Sequence, residues 1–305
     1  MSLNNFCITV GGGIGDQVCA EPVIRWMTET FYKKDNIILM TQCPEFFTHL
    51  PVECVCKKRI DLNKSWISCK THATSEDKDV YCFHRIHPVD YIMLRLFRRQ
   101  LPATQKTIKL EFSEEDKSSI LKLVGDTKKA VIVHAGDSWK SKALPLDVWQ
   151  SYVDILKKDY KVILIGKTIK KNEELNITKD ASYLNICSEG CLDLRDKLNL
   201  KQLFALISIC PVLLSNDSAP VHIAGAFDNW IGLIPTCKHP DYVLPFRKGN
   251  QFYKAKALWK KDLSNYFDFD PLIYFDVPLG ELDESRMRGG LLGAEEILNF
   301  VRGIL

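Results

Sequence analysis

The sequence predicts an α/β protein built from two doubly wound parallel sheets. Segments with strand-like and helix-like hydrophobic patterns alternate along the chain, and they do so in two series separated by a polar stretch at residues 113–129. Alternating β and α segments are typical of parallel sheets covered by helices. The length of 305 residues also suits two domains, at roughly 150 residues each.

The first series begins with an apolar run at residues 6–10, which predicts a buried strand. A glycine-rich loop follows, and apolar residues then recur at helical spacing from Val18 to Phe31. Further strands are predicted at residues 37–41, 52–56 and 80–83, and a helix at 88–101. These elements make up a predicted first domain at residues 1–125.

The second series opens after a predicted surface helix at residues 114–124. Its predicted strands are residues 130–134, 161–166, 211–214 and 230–234, and its predicted helices are 145–158, 198–209 and 219–227. These elements make up a predicted second domain at residues 126–290. An amphipathic helix is predicted near the end, in residues 291–305, and the sequence leaves open whether it packs back on the first domain.

Composition limits the class of protein. The hydrophobic fraction of 46% and the charged fraction of 26% are ordinary for a globular chain. No apolar run reaches the length of a membrane span, and the first residues lack the features of a secretory signal, which together predict a cytoplasmic protein. The eleven cysteines include no CxxC pair, so they are interpreted as reduced thiols rather than zinc ligands. The net charge of +3 neither indicates nor excludes a nucleic-acid partner.

The loop after the first predicted strand is a candidate ligand-approach loop. Its glycines, which include Gly12, Gly13 and Gly15, allow the backbone to come close to a ligand. The third glycine of a dinucleotide-binding G-x-G-x-x-G is replaced by Asp16, whose carboxylate would repel a pyrophosphate placed there. This argues against a nicotinamide or flavin enzyme. Two roles stay open for Asp16: a helix cap and a catalytic carboxylate.

Two loops of the second series also combine polar residues with a strand-to-helix position. One contains Asp217, Ser218 and Ala219, with His222 a turn later, and its backbone N–H groups are suited to bind an anion. The other contains Ser138 and Lys142. The alternatives are an ordinary helix cap for the first loop and a solvated surface loop for the second.

The three segments together resemble sequence blocks of glycosyltransferase family 9, the heptosyltransferase-like enzymes. Gly13-Ile14-Gly15-Asp16 with Pro22 and Arg25 resembles the N-terminal block, residues 134–149 resemble "HPGASxxxKxWPxxxW", and residues 215–222 resemble "GNDSGPxH". Ala135 stands in place of a proline and Ala219 in place of a glycine. The resemblance implies the GT-B fold, in which two Rossmann-like domains face a central cleft.

The resemblance also implies a chemistry. A sugar would pass from a nucleotide diphosphate sugar to an acceptor hydroxyl with inversion, without a cofactor and usually without a metal. Asp16 would take the proton of the acceptor hydroxyl, and Asp217 would accept hydrogen bonds from the donor sugar. Lys142, Ser138 and the N–H groups of Ser218 and Ala219 would hold the phosphates. His222 is either a packing residue or a donor contact.

The acceptor is left open by the sequence. Most members that the chain resembles glycosylate a saccharide of the lipopolysaccharide core at the inner membrane face. Basic segments at residues 57–59, 95–99 and 254–261 suit an anionic membrane surface, and the same segments suit a hydroxymethylated base in DNA as an alternative acceptor. A non-catalytic nucleotide-sugar-binding protein is a further alternative, which Asp16 disfavours. Residues 57–129 match no pattern with a known role.

Overall fold

The computed structural model describes residues 5–30, 36–55, 66–69, 86–136, 142–167, 185–236, 238–260 and 289–305. The helices of this part of the chain are α1 (Ile14–Thr30), α2 (Pro88–Phe97), α3 (Glu114–Val124), α4 (Leu146–Leu156), α5 (Leu200–Ile209), α6 (Ala219–Ala224) and α7 (Ala294–Arg302). The strands are β1 (Asn5–Val10), β2 (Asn36–Met40), β3 (Val52–Val55), β4 (Trp66–Cys69), β5 (Ala130–His134), β6 (Lys161–Leu164), β7 (Leu192–Asp193), β8 (Val212–Ser215), β9 (Trp230–Leu233) and β10 (Ala255–Ala257).

These strands form two parallel sheets, as the sequence predicts. The first has the order β3-β2-β1-β4, and the second has the order β10-β9-β8-β5-β6-β7. In both sheets the chain winds outward from a central strand and then crosses to its other side, and the second sheet has the order of doubly wound dinucleotide-binding folds. Ligands of such sheets bind beyond the carboxyl ends of the strands where the order reverses, here between β5 and β8.

The central strands of the second sheet, β5 and β8, are buried on both faces, which explains why they are largely apolar. Along β5, Val131 and Val133 pack into one hydrophobic cluster, while Ala130 and Ile132 pack into another. Successive side chains of a strand point to opposite faces, so each β5 residue serves one helical layer. The carboxyl edge of a sheet fixed in this way is a firm platform for loops.

The last helix packs on the second sheet. Ile297, Leu298 and Val301 of α7 are buried in one cluster with Trp149 and Tyr152 of α4. The Tyr152 hydroxyl donates a hydrogen bond to the Leu292 carbonyl oxygen at 2.7 Å. The described contacts therefore attach this helix to the second sheet, and not to the first, which the sequence had left open.

Helix α3 also packs toward the second sheet, because it contacts α5. Its N-terminus has the capping box that Ser113 and Asp116 predict, and it spans the predicted residues 114–124. The domain boundary at residues 125 and 126 stays a prediction.

The edges of the sheets differ most from the predicted elements. Strands β4, β7 and β10 were not predicted, and β7 and β10 have only two and three residues. The predicted helix 88–101 ends at Phe97, because Arg98 takes the left-handed conformation with φ of 52°. The predicted strand 80–83 lies outside the described residues. Within the described part of the chain, no helix combines the length and apolarity needed to span a membrane.

Candidate active site

Asp16 occupies the third position of α1, directly after the glycine loop. Its Oδ2 accepts a hydrogen bond from the Gly13 N–H at 2.7 Å, so the carboxylate closes the N-terminus of the helix. A carboxylate here is also stabilised by the helix dipole. The capping interpretation is therefore correct in its chemistry, although Asp16 lies three residues beyond the cap position. The carboxylate is half-buried.

Gly12 is required by Asp16 rather than by a ligand alone. It has a φ of +92°, and a Cβ added there would lie 2.4 Å from Oδ2 of Asp16. Only glycine tolerates both conditions. By contrast, a Cβ on Gly11 would meet no atom within 4 Å.

The glycine loop is anchored from below by Gln17. This buried side chain donates to the Gly12 carbonyl at 3.3 Å, and its oxygen accepts from the Thr41 hydroxyl at 2.6 Å and from the Cys43 N–H at 3.2 Å. Gln17 thus ties the loop after β1 to the loop after β2. It fixes the backbone on which Asp16 stands.

Asn216 performs the same task in the second sheet. Its side chain is fully buried, accepts from the Gly136 N–H at 3.0 Å, and donates to the carbonyls of Gly136 and Lys142. All three hydrogen bonds join the loop after β8 to the loop after β5, across the point where the strand order reverses. The Asn216 amide therefore ties the two candidate donor loops to each other.

Lys142 and Asp217 meet at this junction. The Lys142 Nζ lies 2.7 Å from Oδ2 of Asp217, and the carboxylate is 5% exposed. Burial alone would raise the pKa of the Asp217 carboxyl, but the charges of Lys142 and Lys238 outweigh it and hold that pKa well below its ordinary value. Asp217 is therefore an anion at neutral pH, and it orients the ammonium group beside it.

His222 completes this side of the site. Its Nε2 lies 3.9 Å from Oδ1 of Asp217, and burial lowers its pKa to about 4, so the ring is neutral at neutral pH. Its Nδ1 is buried and makes no hydrogen bond within the described residues. His222 packs at the junction of the two sheets, and a contact with the donor stays a prediction.

The Ser218 hydroxyl is held inside the protein. It lies 2.9 Å from Nδ1 of His134 and 2.9 Å from the Ser215 hydroxyl. Burial lowers the pKa of His134 to about 4, so this neutral imidazole acts as a hydrogen-bond partner rather than as a charge. The arrangement fixes the backbone of Ser218 and Ala219, whose N–H groups are the predicted phosphate ligands.

The two halves of the site touch through Gly15. A Cβ added to Gly15 would lie 3.4 Å from the His222 ring and 3.7 Å from the Ala219 backbone, so α1 passes directly beside α6. Charges from both halves act on the buried Cys19 thiol, whose pKa is raised by burial and by Asp16. The structure therefore brings Asp16, Lys142, Asp217, Ala219 and His222 together.

Other predicted residues have different positions. Ser138 lies outside the described residues, as do residues 57–59. Arg25 is buried in an ion pair with Glu21 at 2.8 Å and donates to the Thr107 carbonyl, so its place in the N-terminal block is structural. Glu21 also accepts from the Lys109 N–H at 2.9 Å and lies 2.9 Å from Nε2 of His49. Among the described residues, no cluster of three or more potential metal ligands is present.

Lys238 is a site residue that sequence reasoning missed. It follows β9, and its charge acts on Asp217, His222 and the Cys19 thiol. No block of the resemblance contains it. The signal that could have found it is topological, because β9 neighbours β8 and a residue after it emerges at the same edge.

This fold and this site define a GT-B protein, in which two doubly wound parallel sheets meet beside a ligand-binding edge. Residues 89–233, slightly under half of the chain, match the family model described as glycosyltransferase family 9 (heptosyltransferase). The resemblance indicated by the sequence blocks is thus confirmed over these residues.

Three solved structures share the fold. A family 9 glycosyl transferase from Veillonella parvula is 12% identical with a TM-score of 0.63, covering 100% of this chain and 98% of its own. The ADP-heptose lipopolysaccharide heptosyltransferase II of E. coli is 16% identical with a TM-score of 0.59, covering 94% and 99%. The iron-containing dodecameric glycosyltransferase TibC of enterotoxigenic E. coli is 13% identical with a TM-score of 0.60, covering 99% and 78%. A comparison with curated protein sequences gives no significant match.

Proposed function

We propose that the protein is an inverting glycosyltransferase that moves a sugar from a nucleotide diphosphate sugar to a hydroxyl group of a saccharide, of the kind found in lipopolysaccharide cores. The observation that carries the proposal is that the glycine loop lies next to the candidate donor loops. The half-buried Asp16 of α1 follows Gly15, which approaches the Ala219 backbone and the His222 ring. His222 in turn lies beside Asp217, which pairs with Lys142. One half can accept a proton while the other holds phosphates.

In the proposed reaction, the Asp16 carboxylate takes the proton of the acceptor hydroxyl as its oxygen attacks the anomeric carbon. The bond between that carbon and the diphosphate oxygen breaks on the opposite face, which inverts the configuration. The leaving nucleotide diphosphate gains negative charge, which Lys142 and the Ser218 and Ala219 N–H groups stabilise. Asp217 orients Lys142 and accepts hydrogen bonds from the sugar.

The donor class is supported by what similar structures contain. TibC has been solved in complex with ADP-D-beta-D-heptose, and that structure matches this chain with a TM-score of 0.57 at 12% identity. ADP-sugars are therefore the first donors to test, followed by UDP- and GDP-sugars. We further propose that the reaction needs no metal and takes place in the cytoplasm, at the inner membrane face.

Replacing Asp16 tests the catalytic step. Asp16→Asn keeps an oxygen that can accept from the Gly13 N–H but removes the base, so transfer is expected to fall by about 10²–10⁴-fold while nucleotide binding persists. Transfer is followed by the release of nucleotide, with truncated lipopolysaccharide core as the acceptor.

The same assay with hydroxymethylated DNA tests the acceptor. Activity on the DNA alone would contradict the saccharide acceptor.

Asp116→Asn provides the matched control. Asp116 occupies the same helical position in α3 and accepts from the Ser113 N–H at 3.0 Å, but it is remote from the site in sequence and fold. Its replacement is expected to leave transfer unchanged. Equal turnover by Asp16→Asn and wild type would refute the base assignment. Activity lost in EDTA and restored by added metal would refute the metal-free reaction.

A further inference from the structure

The loop after β9 emerges at the same edge of the sheet as the candidate donor loops. Strands β8 and β9 pair in parallel with Ser215 opposite Leu233, and the Ile234 N–H donates to the Ser215 carbonyl at 2.8 Å. Asp217 follows β8 by two residues, and Lys238 follows β9 by five. Thr236 lies between the end of β9 and Lys238, and its side chain is buried. The loop is therefore packed against the protein as far as Thr236.

The charge of Lys238 acts on the same buried groups as the charges of Asp16, Asp217 and Lys142. Those that act on this buried thiol are, from strongest to weakest, Asp16, Lys238, Asp217 and Lys142. Asp217 itself is affected more by Lys142 than by Lys238. These interactions agree with the position that the parallel pairing of β8 and β9 gives Lys238, at the edge of the sheet that carries the candidate donor loops.

The charge balance of the site makes Lys238 necessary for an anionic ligand. Asp16 and Asp217 contribute two negative charges, Lys142 and Lys238 contribute two positive charges, and His222 is neutral because of burial. With both lysines the site is neutral before a ligand arrives. Without Lys238 it would be a net anion, and the one remaining ammonium is already paired with Asp217 at 2.7 Å.

We propose that Lys238 is a second cationic ligand of the donor diphosphate, which it binds together with Lys142. The inference rests on the proposed function and extends it. Lys142 approaches the diphosphate from the loop after β5, and Lys238 approaches it from the loop after β9.

Calorimetric titration with nucleotides tests this role. ADP, UDP and GDP are titrated into the wild-type protein, and the one that binds is compared with its monophosphate and its nucleoside. Lys238→Gln is expected to weaken diphosphate binding by about tenfold to a hundredfold, the range of a charged hydrogen bond. The monophosphate should lose less affinity and the nucleoside none, a pattern that a merely structural role would not produce.

Three further variants sharpen the comparison. Lys238→Arg keeps the charge and is expected to retain most of the affinity, while Lys238→Met keeps the aliphatic stem and replaces Lys238→Gln if that variant does not fold. Lys248→Gln is the matched control, since Lys248 is an exposed lysine that donates to the Tyr253 hydroxyl at 2.7 Å, in the segment leading into β10.

The outcomes separate the two proposals. If the wild type binds a nucleotide diphosphate and Lys238→Gln binds it equally well, the role of Lys238 is wrong and the proposed function stands. An equal loss of affinity for diphosphate, monophosphate and nucleoside would also overturn the role. If the wild type binds none of ADP, UDP and GDP, the proposed donor class itself is wrong.

Discussion

At the scale of single residues, the glycine loop is fitted to one carboxylate. Gly12→Ala would place a methyl group 2.4 Å from Oδ2 of Asp16, at a φ of +92° that alanine disfavours. The carboxylate must then leave the Gly13 N–H, and transfer is expected to fall about 10²-fold or more, because the base is misplaced. Steady-state transfer and nucleotide affinity are measured together, and affinity should change little.

Gly11→Ala is the control for this substitution. A methyl group there meets no atom within 4 Å, so activity should stay near that of the wild type. If both alanine variants lost activity equally, the loop would be required for its flexibility and not for the position of Asp16.

The residues that the sequence could predict are those whose chemistry is unusual for their local position. Asp16 was found because a carboxylate replaces an expected glycine, and Asp217 because it lies between a strand and a helix. Asn216 and Gln17 were not singled out, since their importance lies in hydrogen bonds to residues distant in sequence. Lys238 was not predicted for the same reason. Only the pairing of β8 with β9 brings it to this edge of the sheet.

At the scale of elements, the two donor loops depend on the Asn216 amide. In Asn216→Asp the two N–H groups that donate to the Gly136 and Lys142 carbonyls are lost, and a carboxylate is buried against those oxygens. The free energy of unfolding is expected to fall by about 2–4 kcal/mol. Nucleotide affinity should fall as well, because the loop that carries Lys142 is released.

Asn199→Asp is the matched control for this change. Asn199 caps α5 by accepting from the Gln202 N–H at 2.8 Å, and an aspartate can accept in the same way. Urea unfolding and calorimetry are the measurements. A stability of Asn216→Asp equal to that of Asn199→Asp would show that the amide does not hold the loops together.

The elements at the centre of each sheet were predictable because they are long and uniformly apolar. The first four of the five residues of β5 are buried, and the predicted bounds of β5 and α3 agree with the structure. The edge strands β7 and β10 are too short to show the hydrophobic periodicity of a strand. Their strand geometry comes from pairing with β6 and β9, which is a tertiary effect that local sequence does not encode.

At the scale of the whole molecule, the joining of two sheets buries histidines at their boundary. His87 directly precedes α2. Its ring lies edge-on to the ring of Phe246, with 5.1 Å between the two ring centroids. Burial lowers its pKa well below the ordinary value, and the charges of His222, Lys106 and Lys238 lower it further. Burial also keeps the imidazoles of His222 and of His134, at the carboxyl end of β5, neutral at neutral pH.

Neutral buried histidines make the folded protein sensitive to acid. The pKa values of His134 and His222 are about 4 in the folded state, below the unfolded value of about 6.5, so the unfolded chain binds more protons between those limits. Stability is therefore expected to fall as pH decreases from about 6.5 to about 4, by about 1.4 kcal/mol per pH unit for each such histidine. Asp217 has a depressed pKa, so its contribution to stability is lost only below this window.

Urea unfolding at pH 7 and pH 5 measures how steeply stability depends on pH, and His222→Gln should reduce this dependence. Ile223→Val, a change in the neighbouring buried residue that adds no titrating group, should lower stability equally at both pH values. A slope unchanged by His222→Gln would show that this imidazole is not kept neutral by the junction of the sheets.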